Sequence, residues 1–454
     1  MGQLVAGGHE LTPNPGEADV IVVNTCSFIN PAKQESVDTI LEMAEYKKTG
    51  KAQRLVVAGC LVERYRADIQ KNIPEVDAVL GTNELAQITA LCEGLEPRQP
   101  APEPYLYHDL TARVFTTPRH SAYIKIAEGC DHPCSFCVIP QFRGKFRSRR
   151  FESVVNEATR MFAMGVREIN LIGQDTTCYG EDFGLKNGLA DLLARLAQIP
   201  TDLPKWVRFL YAYPNKITQK LLDTIAAHAA LVKYIDMPLQ HASATVLRRM
   251  KRGANADIFL KLLERIRATI PGVAIRTSMI VGFPGETEAE FDQLCQFVET
   301  ARLDRLGVFS YSDEETSGSF HLDGKVESRT IQQRKRKLMA LQRKISLRRN
   351  KALVGQQLPV LVEGPSPETD LLWEARLATQ APEIDGLCYI NDFSAGEARR
   401  GEMRLLRVTE AHDYDLVGEL IDGPEQELAA ARNDVANPFP ILAAKPVSSA
   451  LPAR

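Results

Sequence analysis

Cys130, Cys134 and Cys137 stand in the run Glu128-Gly-Cys-Asp-His-Pro-Cys-Ser-Phe-Cys, directly after the apolar segment Tyr123-Ile124-Lys125-Ile126. Three thiolates on one tight loop can hold three corners of a cubane iron–sulfur cluster. A four-iron cluster wants four ligands, so one iron is left open. An open iron is what chelation of S-adenosylmethionine requires. One-electron cleavage of that cofactor yields a carbon radical, chemistry that side chains do not supply alone. Zinc would take four N or S ligands in C-x-x-C pairs, and no second pair is present. The spacing C-x-x-x-C-x-x-C therefore predicts a radical S-adenosylmethionine enzyme.

The elements around this loop must place it on a working face. From about 119 to 325 the sequence alternates strand and helix, with strand candidates at 122–127, 168–173, 206–212, 233–238, 274–281 and 305–311. Six parallel strands with interleaved helices predict an open, partial (β/α) barrel whose chemistry sits at the strand C-termini. The cysteine loop follows the first strand. Gly173, Gln174 and Asp175 follow the second, Gln240 and His241 the fourth, and the segment Gly282-Phe-Pro-Gly285-Glu286 the fifth. Acceptors at 173–175 could take the ammonium donors of a cofactor. Gly282–Glu286 reads either as a close backbone approach to a ligand or as a tight turn. Gln240 and His241 could line a substrate cavity, or His241 could be a satisfied core residue. Arg143, Arg147 and Arg149 could pair with a cofactor carboxylate or with surface acids.

A second pair of cysteines lies upstream. Residues 18–94 alternate apolar strands, 18–24, 54–58 and 77–80, with helical stretches, which predicts a small doubly wound parallel sheet. Ligands of such sheets sit beyond the strand C-termini. Cys26 and Cys60 each occupy that end of a strand, in Asn24-Thr25-Cys26 and Ala58-Gly59-Cys60. Two cysteines at equivalent ends fit a second metal site about as well as buried packing.

The 454 residues suggest about three domains, and 44% hydrophobic with 25% charged residues is a globular composition. No apolar run reaches membrane-spanning length and no signal peptide is visible, so a cytoplasmic location is expected. Nine cysteines, an odd number with three clustered, fit a reducing compartment. A net charge of −3 excludes the whole chain as electrostatic glue for nucleic acid. Residues 95–118, with five prolines, form a linker. Residues 328–351 form a long helix in which Arg329 to Lys351 includes ten Lys and Arg and no acid. Its cations either balance acids elsewhere, the favoured reading, or contact RNA. Short β runs at 357–362, 371–377, 387–391, 403–410 and 415–420 predict a small antiparallel barrel. The Ala- and Pro-rich tail after 422 is expected to be disordered.

The chain as far as residue 421 resembles the radical S-adenosylmethionine methylthiotransferases. Their order of domains is a cluster domain, a partial barrel and a TRAM barrel. The resemblance implies boundaries of 1–94, a 95–118 linker, 119–327, a 328–355 basic connector, 356–422 and a 423–454 tail. Within the family the RimO-like branch is closer than the MiaB-like tRNA adenosine branch. Asp236-Met-Pro-Leu-Gln-His-Ala-Ser243, Ala381-Pro-Glu-Ile-Asp-Gly386 and His412-Asp-Tyr-Asp-Leu416 carry that distinction. The RimO-like branch implies methylthiolation of an aspartate β-carbon in a small-subunit ribosomal protein near the decoding site. It also implies S-adenosyl-L-methionine, an electron donor, RNA contact through 329–351 and the TRAM barrel, and two 4Fe-4S clusters. Cys130, Cys134 and Cys137 would hold the radical-generating cluster. Cys26 and Cys60, with a third cysteine, would hold an auxiliary cluster that brings sulfur.

The family's first auxiliary cysteine follows an initial strand, whereas this chain opens on Met1-Gly-Gln-Leu-Val-Ala-Gly-Gly, which reads as a helix end. The resemblance thus implies that Met1 is internal to a longer product. Cys92 reads as helix core, Cys178 lies nearer the barrel cluster, and Cys295 and Cys388 read as packing thiols. The incomplete auxiliary set leaves one competing reading from another class, a cluster-bearing protein that docks on the ribosome without catalysis.

Overall fold

The computed structural model describes residues 1–95, 105–394 and 396–423. Residues 96–104 of the proline linker, with Pro97, Pro100, Pro102 and Pro104, and the tail beyond 423 lie outside the described residues. In the first sheet, β1 (Val20–Thr25), β2 (Arg54–Gly59) and β3 (Ala78–Leu80) run parallel in that order. One face, with Val56, Ala58 and Leu80, packs on Leu4 of α1 (Gly2–Ala6). The other face, with Ile21, Val23, Leu55, Val57 and Val79, packs on α2 (Asn30–Thr49) and α3 (Cys60–Asn72). The first face also meets Ile88, Leu91 and Cys92 of α4 (Ile88–Cys92). Helices on both faces explain why the strand β2 is apolar without alternation.

The central unit has six parallel strands in two sheets. β4 (Ser121–Lys125), β7 (Glu168–Ile172) and β8 (Trp206–Phe209) form one, while β9 (Tyr234–Asp236), β10 (Ala274–Val281) and β11 (Arg305–Ser310) form the other. At the seam between them, Val207 of β8 bridges in parallel to Leu231, just ahead of β9, and the Ala212 amide donates to the Asp236 carbonyl at 2.8 Å. β8 stops short of the expected 212 because Tyr211 takes φ +63 and gives its amide to Asp236 Oδ2 at 3.0 Å. The sequence did not foresee the short antiparallel pair β5 (Ala127–Glu128) and β6 (Arg147–Ser148), which brackets the cysteine loop. The unit's helices are α5 (Ile139–Arg143), α6 (Phe151–Ala163), α7 (Gly188–Ala197), α8 (Gln219–Ala227), α9 (Ala244–Arg249), α10 (Ala256–Thr269) and α11 (Glu288–Ala301). The longer ones bury one apolar stripe each. α11 shows the local logic: Thr287 and Glu290 form a capping box, and Phe291, Leu294, Phe297 and Val298 face the core.

α12 (Ser328–Lys351) then lies along the barrel, with Ile331 and Leu338 in the core. Several of its cations pair with barrel acids: Arg334 with Glu286 and Glu288, Lys337 with Asp292, and Arg349 with Asp304. Arg336, Lys344 and Arg348 are exposed. The last unit is a closed barrel of β12 (Gln357–Pro365), β13 (Trp373–Leu377), β14 (Cys388–Asp392), β15 (Met403–Ala411) and β16 (Leu416–Leu420). Its seams are antiparallel except β14 with β16, which run parallel. This small barrel sits against the N-terminal ends of the central strands. Fully buried Glu168, at the start of β7, accepts from Arg208 at 2.9 Å and from Arg376 at 2.5 Å. Ala381 and Leu361 pack with Trp206 and Tyr234, and Tyr234 Oη donates to Asp385 at 2.7 Å. The opposite, C-terminal ends of the strands carry the cysteine loop and the segments that follow β7 and β10. No helix among the described residues is long and apolar enough to cross a membrane.

Candidate active site

The loop that carries Cys130, Cys134 and Cys137 is pinned on every side. Gly129 takes φ +81, and a Cβ there would collide with the Lys145 carbonyl, so only glycine fits. Its amide donates to Gln174 Oε1 at 2.8 Å. The Cys130 amide donates to the Gly144 carbonyl at 3.2 Å, and the Cys137 amide to the Cys134 carbonyl at 3.2 Å. Ser135 bonds α9 and its exit through Oγ to the Arg249 carbonyl at 2.8 Å and its amide to the Met250 carbonyl at 3.1 Å. The three thiols are partly exposed and free of disulfides. Burial pushes Cys130 up to about 11 and Cys137 up to about 12, so both are protonated thiols near neutral pH until a metal displaces the proton.

Asp175 and Gln174 brace this loop from the end of β7. Asp175 Oδ2 lies 2.5 Å from His132 Nε2 and accepts from Cys178 Sγ at 3.1 Å, while Oδ1 accepts from the Thr177 amide at 2.8 Å. Burial would raise the Asp175 carboxyl, but these donors outweigh it and hold the group below the ordinary range. The His132 ring stacks on Tyr213 at 3.6 Å and 9°. The Arg252 guanidinium lies over the other aromatic partner of that stack, 4.4 Å from the Tyr213 centroid, and donates to Cys134 Sγ at 3.5 Å. His132, Tyr213 and Arg252 carried no periodicity that would have singled them out. Only the position of His132 inside the cysteine motif pointed to it.

Gly282 to Glu286 forms the tight turn. Glu286 Oε2 accepts from the Gly282 amide at 2.6 Å and the Phe283 amide at 3.1 Å, and Oε1 accepts from Arg334 at 3.0 Å. The Gly285 amide donates to the Gly324 carbonyl at 2.7 Å. Gly173 follows β7 beside Ala127. His241 is fully buried, accepts the Ser243 amide at Nδ1, and has Nε2 3.9 Å from Glu286. Burial holds it down to about 3, a neutral core histidine. Gln240 takes φ +75 and bridges to Met279 of β10. Arg149 is buried on Glu157 and the Lys125 carbonyl, and Arg147 Nη1 donates to the Lys145 carbonyl at 3.1 Å.

The two cysteines of the first sheet face the same region. β1 and β2 pair in register, with Thr25 opposite Gly59, so Cys26 and Cys60 emerge side by side. Cys26 is exposed and Cys60 buried. Cys60 packs with Val138 and Phe142, directly behind Cys137 in the chain. Arg143 is neither a surface charge nor aimed at open space. Its Nη2 donates to Cys60 Sγ at 2.9 Å and its Nη1 to Glu128 at 3.0 Å. The sheet is stapled to the barrel by Glu314, whose Oε2 accepts from Lys33 at 2.8 Å and from Arg64 at 3.1 Å. Among the described residues, no third cysteine joins Cys26 and Cys60: Cys92 is buried in the core beneath the sheet and Cys178 is bound to Asp175. Cys388 is buried inside the small barrel and Cys295 packs against the central core.

The donor chemistry fits iron–sulfur ligation. Soft thiols, reduced and gathered on one loop beside a cation, are the ligands such clusters take. The second pair supplies the same donors at a partly buried junction.

Comparison with known proteins agrees. The model of the Radical SAM superfamily matches residues 124–298, that of uncharacterized protein family UPF0004 matches 1–81, and that of the TRAM domain matches 354–421. The chain is 71% identical over 446 residues to the ribosomal protein uS12 methylthiotransferase RimO of Solibacter usitatus (strain Ellin6076), covering 98% of this chain and 93% of that one. It is 57% identical to the RimO of Koribacter versatilis (strain Ellin345), covering 93% and 92%. It is 47% identical to that of Myxococcus xanthus (strain DK1622), covering 98% and 93%. With the cysteine loop on the first barrel strand, these likenesses show that the chain belongs to the RimO family of radical S-adenosylmethionine methylthiotransferases.

Proposed function

We propose that this enzyme adds a methylthio group to the β-carbon of an aspartate in ribosomal protein uS12, the substrate named for its relatives. One observation carries the reading most directly. Cys60 of the first sheet packs on Val138 and Phe142, just past the Cys130–Cys137 loop of the barrel, and Arg143 donates to the Cys60 thiol on one side and to Glu128 on the other. A reaction that inserts sulfur at an unactivated carbon needs two such centres at one cavity. An aspartate β-hydrogen is out of reach for any general base here at a useful rate. When bound, the loop cluster with S-adenosylmethionine supplies a carbon radical, and the second cluster supplies sulfur.

The chain's own residues hold and orient. Cys130, Cys134 and Cys137 would hold the first cluster; Cys26 and Cys60, with a third thiol, would hold the second. Gly173, Gln174 and Asp175 shape the cofactor bed from the end of β7, Gln174 and Asp175 by fixing the loop through Gly129 and His132. Gly282, Gly285 and Glu286 shape it from the end of β10, with Glu286 locking the turn. Glu314 keeps the sheet seated over the barrel mouth. The domain boundaries follow these units: sheet 1–94, linker 95–118, barrel 119–327, connector 328–355, small barrel 356–422. Exposed Arg336, Lys344 and Arg348, with the TRAM barrel, offer ribosomal RNA a basic approach. A ribosomal-protein substrate supports a cytoplasmic location, and the chemistry calls for an electron donor.

The test is the intact mass of uS12 from cells with and without the gene. The expected result is a deletion-strain protein lighter by one methylthio group in place of hydrogen. Equal masses would overturn the reading. Modified tRNA adenosine would then be measured. Production of 5′-deoxyadenosine by the reduced protein would count against a non-catalytic ribosome-binding role.

A further inference from the structure

Arg252 is buried, only 6% exposed, and its charge has no carboxylate partner among the ion pairs of the described residues. A buried guanidinium without a counter-charge is strongly disfavoured. Three contacts surround it. Nη2 donates to the Pro238 carbonyl at 2.8 Å, Nη1 donates to Cys134 Sγ at 3.5 Å, and the plane lies 4.4 Å from the Tyr213 ring centroid. The carbonyl and ring are neutral. Among the groups it touches, the sulfur of Cys134 is the one that can become anionic, as it would on ligating iron, with Cys137 of the same loop close enough to feel the same charge. Arg143 makes a useful contrast: it also donates to a cysteine, Cys60, but Glu128 already balances it at 3.0 Å.

The surroundings hold Arg252 in place. Its backbone amide donates to the Leu247 carbonyl at 2.8 Å, closing the end of α9. Tyr213 is itself clamped by the His132 ring at 3.6 Å, which Asp175 anchors at 2.5 Å. The guanidinium cannot swing away from the sulfur without breaking this stack. Adding one electron to a cluster adds one negative charge. A fixed cation that donates to a ligand sulfur stabilises that added charge and raises the reduction potential. We propose that Arg252 is a positioning residue whose charge, fixed by Tyr213 and Pro238, sets the reduction potential of the cluster held through Cys134. This rests on the reading that Cys130, Cys134 and Cys137 hold that cluster.

The experiment is an anaerobic redox titration of the full iron-loaded protein, followed by electron paramagnetic resonance. The loop signal is identified as the one lost in Cys134→Ala. In Arg252→Gln the loop midpoint is expected to move to more negative potential while any second signal stays in place. Arg252→Lys should recover part of the shift, and Tyr213→Leu should show a smaller shift of the same sign. Full iron content with an unmoved loop midpoint in Arg252→Gln overturns the proposal, as does an equal shift of both signals. If Arg252→Gln does not load iron, Arg252→Lys and Tyr213→Leu decide: a negative shift in the loop signal supports the proposal, and no shift in either overturns it. Failure of the underlying reading looks different, because Cys134→Ala would then keep its full iron.

Discussion

Each loop cysteine is held by backbone bonds that do not involve its sulfur, so replacing the sulfur should leave the loop folded. Cys137→Ala is expected to lose the iron of one cluster per chain and to abolish 5′-deoxyadenosine formation, with the melting curve little changed in the metal-free protein; iron assay and product chromatography check this. His241 gives a pH signature. Burial depresses its folded pKa to about 3, below the unfolded value near 6.5, so the unfolded chain binds the extra proton. Stability is therefore lost as pH falls from about 6.5 toward 3, on the order of 1–2 kcal/mol by pH 5 from this group. Denaturant titrations at pH 7 and pH 5 should show a smaller difference in His241→Gln than in the parent.

At the scale of elements, two joints fix the geometry of the site. The turn after β10 depends on Gly282, at φ +80, where a Cβ would run into the Ile331 side chain of α12. Gly282→Ala is expected to cost about 2–3 kcal/mol through strain and displaced packing, read as a lower denaturant midpoint. The other joint is Glu314, buried between Lys33 of α2 and Arg64 of α3. Burial would raise its carboxyl, but Lys33, Ser312 and Arg64 outweigh this and keep it below the ordinary range, so it is ionised at neutral pH. Glu314→Gln leaves two cations facing a neutral group. The expected outcome is continued 5′-deoxyadenosine formation with methylthiolation reduced at least several-fold, because the sheet no longer seats firmly. Equal losses of both products would show that the staple serves the barrel instead.

Across the whole molecule, the small barrel is bolted to the floor of the central one by Glu168, Arg208 and Arg376, all nearly or fully buried. Burial works against the Glu168 charge, but Arg376 and Arg208 overcome it and hold the carboxyl well below its usual range. Breaking such a network by neutralising one member strands the others. Glu168→Gln is expected to cost about 3–5 kcal/mol. The reading is a drop in melting temperature, with early exposure of the small barrel to limited proteolysis.

Much of this was legible in the sequence because it is encoded locally. The C-x-x-x-C-x-x-C spacing specifies soft ligands on one loop whatever surrounds it. The apolar runs fix parallel strands by their period, and strand polarity then places Cys26, Cys60 and the loop after β4 at strand C-termini. The 328–351 helix was equally plain. Tertiary structure decided which cation serves which group. Arg143 read as a partner for a cofactor carboxylate or a surface acid; packing of Phe142 and Val138 on Cys60 sends it to sulfur as well as to Glu128, which no sequence signal pointed to. Asp175 looked like a free acceptor, yet it braces His132; the 282–286 segment could have been a ligand approach or a turn, and Glu286 locks it as a turn with Arg334. Arg252 meets Cys134 across 118 residues of chain. Spacing in sequence determines the chemistry a segment carries, whereas long-range contacts are fixed by the packing of whole elements, which no local pattern records.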